Sequence, residues 1–223
     1  MELEELALNV HNRLLEVYGY PEWRNPLPPL DELVSTILSQ NTNDINRDRA
    51  YLKLRERFPT WEEVRDADEA EVINAIRPAG LGNQKGPRIQ NILREITRQR
   101  GDLDLEFLKE LSVSDAEEWL LGFKGVGPKT ASIVIQFSLG KPAFPVDTHI
   151  YRVTGRLGLR PEGMNADQSH KHLAAIFPTD SYFAAHLNLI RHGREICQAR
   201  RVDCENCRLN DLCRYYENLQ RNN

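Results

Sequence analysis

Gly122-Phe123-Lys124-Gly125-Val126-Gly127-Pro128-Lys129-Thr130-Ala131 decides how this chain is read. One helical pattern ends near Leu121 and another opens after Gly127, with a glycine-rich turn between them. Pro128 then falls in a first helical turn, where a missing N–H costs nothing. Glycines let backbone approach a ligand closely, and the next helix start offers unpaired N–H donors. A turn of this kind suits a phosphate and needs no excess of lysine or arginine. A nucleotide-binding phosphate loop needs a preceding strand and a lysine directly after its second glycine. Pro128 stands in that place, and no strand pattern precedes the turn. A plain glycine turn between packed helices is the remaining reading of this stretch by itself.

Outward from the turn, the chain reads as helix after helix. Helical periodicity or composition marks Leu6 to Val17, Leu33 to Ser39, Ile45 to Phe58, Glu69 to Ile76 and Ile89 to Arg98. It also marks Ala116 to Leu121, Thr130 to Leu139, His149 to Leu157 and Ala184 to His192. Proline and glycine punctuate these runs at 26–29, 78–83 and 140–142. Thr60-Trp61-Glu62-Glu63 has the pattern of a capping box. Ala143-Phe144-Pro145-Val146 is apolar, but it is short, and its proline opposes a strand ladder. The predicted fold class is all-α.

No apolar run approaches the roughly 18 residues of a membrane helix. The acidic start, Met1 to Glu5, lacks the basic region of a secretory signal. A cytoplasmic protein is expected. Against 29 basic residues stand 33 acidic ones, a net charge of −4. That balance disfavours nucleic acid as a partner unless contacts are local or made by backbone amides.

Lys129 opens the helix after the turn, and Asp147 stands before the next helix start in Val146-Asp147-Thr148-His149. Taken singly, one reads as a solvated charge and the other as an N-cap. Taken together, an amine nucleophile and a carboxylate that takes its proton or stabilises a sugar cation form a catalytic pair. All four cysteines lie near the C-terminus as Cys197-x6-Cys204-x2-Cys207-x5-Cys213. Cytosolic disulfides are rare, so the set reads as metal ligands. Spacing leaves zinc and an iron–sulfur cluster both open, because only one C-x2-C knuckle is present.

The hairpin, followed by Phe144-Pro145-Val146-Asp147-Thr148-His149 and the four cysteines, resembles the endonuclease III family. Its members are helix-hairpin-helix base-excision DNA glycosylases with lyase activity. The resemblance runs from about Leu30 to Cys213. It implies that Lys129 is the nucleophile at C1′ of a damaged nucleotide and forms a Schiff base, with strand cleavage by β-elimination. It implies that Asp147 is the essential aspartate. Cys197, Cys204, Cys207 and Cys213 then hold a [4Fe–4S] cluster. Gln40 fills the gap left by the flipped nucleotide, and Leu81 is a wedge beside the orphaned base. Flipping is required because the reacting carbon is buried in the duplex. Further DNA contacts are expected from Lys85, Lys124, Gly125, Val126 and Gly127, and from Arg200 and Arg201 between the first two cysteines.

The implied architecture is two helical lobes. A six-helix barrel with the helix-hairpin-helix spans residues 24–141, and residues 1–23 join 142–223 in the cluster lobe. The expected activity is excision of oxidised pyrimidines such as thymine glycol from duplex DNA followed by lyase cleavage, on DNA containing damaged bases or abasic sites, by a monomer associated with the nucleoid. A glycosylase for mismatched or alkylated bases and a non-catalytic DNA-binding iron–sulfur protein are the alternatives. The lysine at 129 favours the bifunctional type. Pro128 replaces a basic residue common in relatives, Lys124 replaces a proline, and the 39–44 stretch is unusually polar.

Overall fold

The computed structural model describes residues 2–22 and 26–221. The expected lobe boundary between residues 23 and 24 lies outside the described residues. Contacts divide the chain into two compact units. One comprises residues 1–25 and 142–223, the other residues 26–141. Among the described residues there is no strand, only an isolated bridge between Cys197 and Val202. No helix there is long and apolar enough to cross a membrane.

The 26–141 unit holds helices α2 (Pro29–Ser39), α3 (Asp44–Arg57), α4 (Trp61–Asp66), α5 (Glu69–Ala75), α6 (Gly82–Arg100), α7 (Val113–Leu121) and α8 (Pro128–Phe137). Helix α2 lies against both α3 and α8, and α5 lies against α6. Their facing side chains, among them Leu33, Ile37, Leu54, Leu93, Leu120 and Val134, are fully buried. Truncating one such leucine to alanine costs about 2–5 kcal/mol. Thr60 starts α4 with a complete capping box to Glu63, as its sequence pattern predicts.

Helix α6 begins seven residues earlier than its periodicity indicates. Gly82, Gly86 and Pro87 hide its first two turns. The reason is close packing: a Cβ on Gly86 would stand 2.8 Å from the Ile73 side chain of α5. The glycines that read as punctuation are here the means of approach between two helices.

The other unit holds α1 (Leu3–Tyr18), α9 (Thr148–Leu157), α10 (Ala166–Ile176), α11 (Tyr182–Glu195) and α12 (Arg214–Arg221). Helix α11 packs on α9 and on α1. Leu6, Val10, Leu14, Ile150, Val153, Leu173 and Leu189 build its core. Helices α10 and α12 were not among the predicted elements. Helix α10 is polar in composition, yet it buries Ser169 and His170 and opens on a capping box at Asn165. Helix α12 buries no residue.

Candidate functional site

Within the 26–141 unit the hairpin is anchored by its apolar residues. Phe123 and Val126 are buried, and Trp119 meets Phe123 edge to face with centroids 4.7 Å apart. Gly125 has φ +92°, a conformation that disfavours any side chain. Gly127 caps α8 with extended backbone and no side-chain bond. Among the described residues, the N–H groups of Gly125 and Gly127 donate to no acceptor in the fold. Lys124 and Lys129 are exposed, and the Lys129 ammonium forms no hydrogen bond or ion pair there.

Val126 requires a correction. Its side chain is buried, and its N–H donates to the Phe123 carbonyl at 3.0 Å within the turn. It shapes the hairpin and offers no donor to DNA. The two glycines on either side of it carry the free amides.

Lys85 requires a larger one. It reads as an exposed phosphate contact, but it is 1% exposed. Its ammonium donates to the carbonyls of Leu38 and Ala79, both at 2.8 Å. Burial, and the charge of nearby Arg88, push its pKa below the usual lysine value. Those two carbonyls lie just ahead of the two loops that carry Gln40 and Leu81. Lys85 therefore acts as an internal tie between them.

Both loops are strained where they turn. Asn41 and Leu81 are the non-glycine residues with positive φ among the described residues, at 54° and 51°. For leucine a left-handed conformation costs about 1–2 kcal/mol. Leu81 nonetheless stays 46% exposed, an apolar side chain held out from the surface. Gln40 caps the end of α2, and its Oε1 accepts from Arg88 Nη1 at 2.6 Å. Arg88 was not among the predicted site residues. Its position, just after a Gly-Pro pair, gave no signal.

In the other unit, Asp147 is the N-cap of α9. Its Oδ1 accepts from the Ile150 N–H at 2.8 Å. The buried stretch Ala143–Val146, outside any helix, leads into it. Two buried histidines hold that stretch: the His170 Nδ1 pairs with the Phe144 carbonyl at 3.1 Å and the His186 Nδ1 with the Pro145 carbonyl at 2.9 Å. Neither histidine was singled out in the sequence, because the partners are backbone groups distant along the chain.

The same unit gathers the four cysteines. All four line one pocket together with Val153, Leu157 and Ile196. None forms a disulfide. Arg156 Nη1 lies 3.2 Å from the Cys197 sulfur, and the Leu209 N–H donates to the Cys207 sulfur at 3.4 Å. Arg156 also donates to the carbonyls of Gln198 and Ala199, fixing the loop that bears exposed Arg200 and Arg201. Burial pushes the Cys207 thiol up to about 11 and raises those of Cys204 and Cys213. Among the described residues, no three histidine, cysteine, aspartate or glutamate side chains close on a point that could hold one ion. His192 is a structural residue: it is buried, pairs with the Tyr18 hydroxyl at 3.1 Å, and its pKa is pushed down to about 4 by burial.

Residues 34–179 match the family described as HhH-GPD superfamily base excision DNA repair protein. The chain belongs to that family. Endonuclease III of Thermotoga maritima is 32% identical over 214 residues, 96% of this chain and 93% of that protein. A candidate DNA glycosylase of Arabidopsis thaliana is 39% identical over 181 residues, 81% of this chain, which spans 59% of that longer protein. Among solved structures, a non-covalent endonuclease III–DNA complex superposes with a TM-score of 0.83 at 25% identity, covering 99% of this chain and 100% of that one. The protein is thus a base excision repair enzyme of the endonuclease III type, a DNA glycosylase and lyase whose fold class matches its sequence pattern. The endonuclease III relatives suggest an iron–sulfur cofactor.

Proposed function

We propose that this enzyme removes oxidised pyrimidines, thymine glycol among them, from duplex DNA in the cytoplasm and then cleaves the strand at the resulting site. Lys129 is the nucleophile. Its neutral amine attacks C1′ of the flipped nucleotide as the bond from C1′ to the base breaks, and the base leaves with its bonding pair. Loss of the ammonium proton precedes attack, and Asp147 is the carboxylate that takes it or stabilises the sugar cation. Ring opening gives a Schiff base between Lys129 and C1′. Removal of a C2′ proton then expels the 3′ phosphate, breaking the strand on that side.

The observation that carries this reading is the setting of Lys129. An exposed amine opens α8 directly after a hairpin with two free glycine amides. Those amides can hold a phosphate of the same strand, fixing the nucleotide for attack. Leu81, held out in a strained turn, is the wedge, and Gln40 enters the gap. Lys124, Arg200 and Arg201 are exposed and suited to phosphate contacts, which position the duplex without reading it. In this reading residues 24–141 form the hairpin-bearing barrel and the rest of the chain the cluster lobe.

The cofactor is a [4Fe–4S] cluster on Cys197, Cys204, Cys207 and Cys213. Four thiols share one pocket, and two of the sulfurs accept N–H donors, as cluster sulfurs do. When bound, the cluster supplies structural cross-linking of the C-terminal segment.

Borohydride trapping on an end-labelled duplex with one thymine glycol tests the proposal. The parent should give a covalent protein–DNA adduct, and Lys129→Gln should give none. Base release without an adduct would mean hydrolysis by water and demote Lys129. Release of other lesions in preference to thymine glycol would overturn the substrate assignment.

A further inference from the structure

His192 lies on α11 and is 4% exposed, so both of its ring nitrogens need partners inside the protein. Each has one. Nδ1 meets the hydroxyl of Tyr18, the last residue of α1, at 3.1 Å. Nε2 faces the Cys207 sulfur at 3.5 Å, within hydrogen-bond reach of a sulfur. Arg191 lies over the Tyr18 ring at 4.6 Å and holds it in place. All of these residues belong to the unit formed by 1–25 and 142–223.

A neutral imidazole carries one N–H, and the bond made at one nitrogen decides which of the two holds it. A thiol can donate, but a thiolate that ligates metal only accepts. Opposite such a thiolate the hydrogen sits on Nε2. Nδ1 is then an acceptor, and the Tyr18 hydroxyl is the donor that suits it. The three side chains form a directed relay: Tyr18 O–H to Nδ1, then Nε2–H to sulfur. Cys207 also accepts the Leu209 N–H at 3.4 Å. Hydrogen bonds to the sulfurs help set the reduction potential of an iron–sulfur cluster. Donors favour the more electron-rich state, because they stabilise negative charge on the ligand.

We propose that His192, oriented by Tyr18, donates a hydrogen bond to the Cys207 thiolate and thereby protects the cluster from oxidative loss. Tyr18 is the positioning residue of this relay. The inference deepens the reading of the four cysteines as cluster ligands, and it rests on that reading.

The test uses holoprotein prepared without oxygen, its iron and zinc measured first. Ferricyanide is the oxidant: it takes one electron from the cluster and becomes ferrocyanide. His192→Leu should bleach the cluster absorbance about tenfold faster than the parent, the usual worth of a group that supports a metal ligand. Its midpoint potential, read by voltammetry, should be more negative. His192→Gln, whose amide NH2 can reach the same sulfur, should return both readings toward the parent. Tyr18→Phe leaves the ring free to place its hydrogen on either nitrogen, so both readings should fall between. A His192→Leu protein with the parent's iron content, potential and bleaching rate overturns the inference. So does a His192→Gln protein that bleaches as fast as His192→Leu, which marks a packing role. If His192→Leu holds no iron, His192→Gln decides: brown protein with a parent-like potential supports the relay, and colourless protein overturns it. Tyr18→Phe equal to the parent in both readings overturns the orientation by Tyr18. Parent protein with zinc and no iron would fail the cluster reading itself. A brown parent indifferent to all three changes would fail the relay alone.

Discussion

The ammonium of Lys85 sits 2.8 Å from the carbonyl oxygen of Leu38, two residues ahead of Gln40. A second bond of equal length runs to Ala79, two residues ahead of Leu81. One buried cation thereby ties the segments ahead of Gln40 and Leu81, the proposed gap-filling residue and wedge. Lys85→Met keeps the stem and removes the donors, leaving two buried carbonyls short of a partner at about 1–3 kcal/mol. Urea unfolding should show that loss. Affinity for an abasic duplex should fall by about tenfold or more, whereas affinity for intact DNA should change little. An equal fall on both duplexes would mean that the tie supports the fold without setting the two loops.

That relationship marks the limit of what the sequence makes legible. Helices with apolar periodicity, such as α1 and α9, are readable because one face must be buried. The glycine turn is readable because its backbone demands are local. Helix α10 is not, because His170 and Ser169 look polar, and the buried bond of His170 is formed with distant backbone at Phe144. Lys85 is misread for the same reason. A lysine after a glycine-rich stretch looks solvated until two carbonyls from other segments are seen around it. Arg88 carries no pattern at all. Its bond to Gln40 exists only because α6 brings it beside the end of α2.

Asp147 is an N-cap and, in the proposed mechanism, a catalytic carboxylate, and a conservative change can separate the two. As N-cap of α9 it accepts from the Ile150 N–H, and asparagine caps a helix about as well. Asp147→Asn should therefore leave the melting temperature nearly unchanged while removing the negative charge. Single-turnover excision of thymine glycol should drop by about 10²–10⁴, the usual worth of a positioned acid or base. Comparable excision rates in the two proteins would reduce Asp147 to a cap.

His11 supplies a pH dependence. It is buried on α1, its Nδ1 has no partner among the described residues, and burial lowers its pKa below 6.5, against an opposing pull from Asp180. Below 6.5 the unfolded chain takes up the proton first, so acid favours unfolding. The neutral-histidine stability is fully present above about pH 6.5 and is lost as pH falls toward the folded value. Thermal melts at pH 7.5 and 5.5 should show a drop in the parent that His11→Leu reduces. An unchanged drop would assign the acid sensitivity to other groups, His192 among them.

The cysteine segment makes the cofactor testable by composition. Leu209, Leu212 and three of the cysteines pack on the core of the unit formed by 1–25 and 142–223. Burial raises the thiol pKa of Cys204, Cys207 and Cys213, and no disulfide cross-links residues 197–213. Protein purified without oxygen should be brown, with about four iron and four sulfide per chain. Cys204→Ser should lose that colour and expose the C-terminal segment to protease, while the 26–141 unit keeps its hydrogen-exchange protection. The separation matters, because a purely structural staple loosens only what it joins. Colourless protein carrying one zinc per chain would overturn the cluster assignment. The hairpin and Lys129 would stand untouched by that result, since both belong to the 26–141 unit.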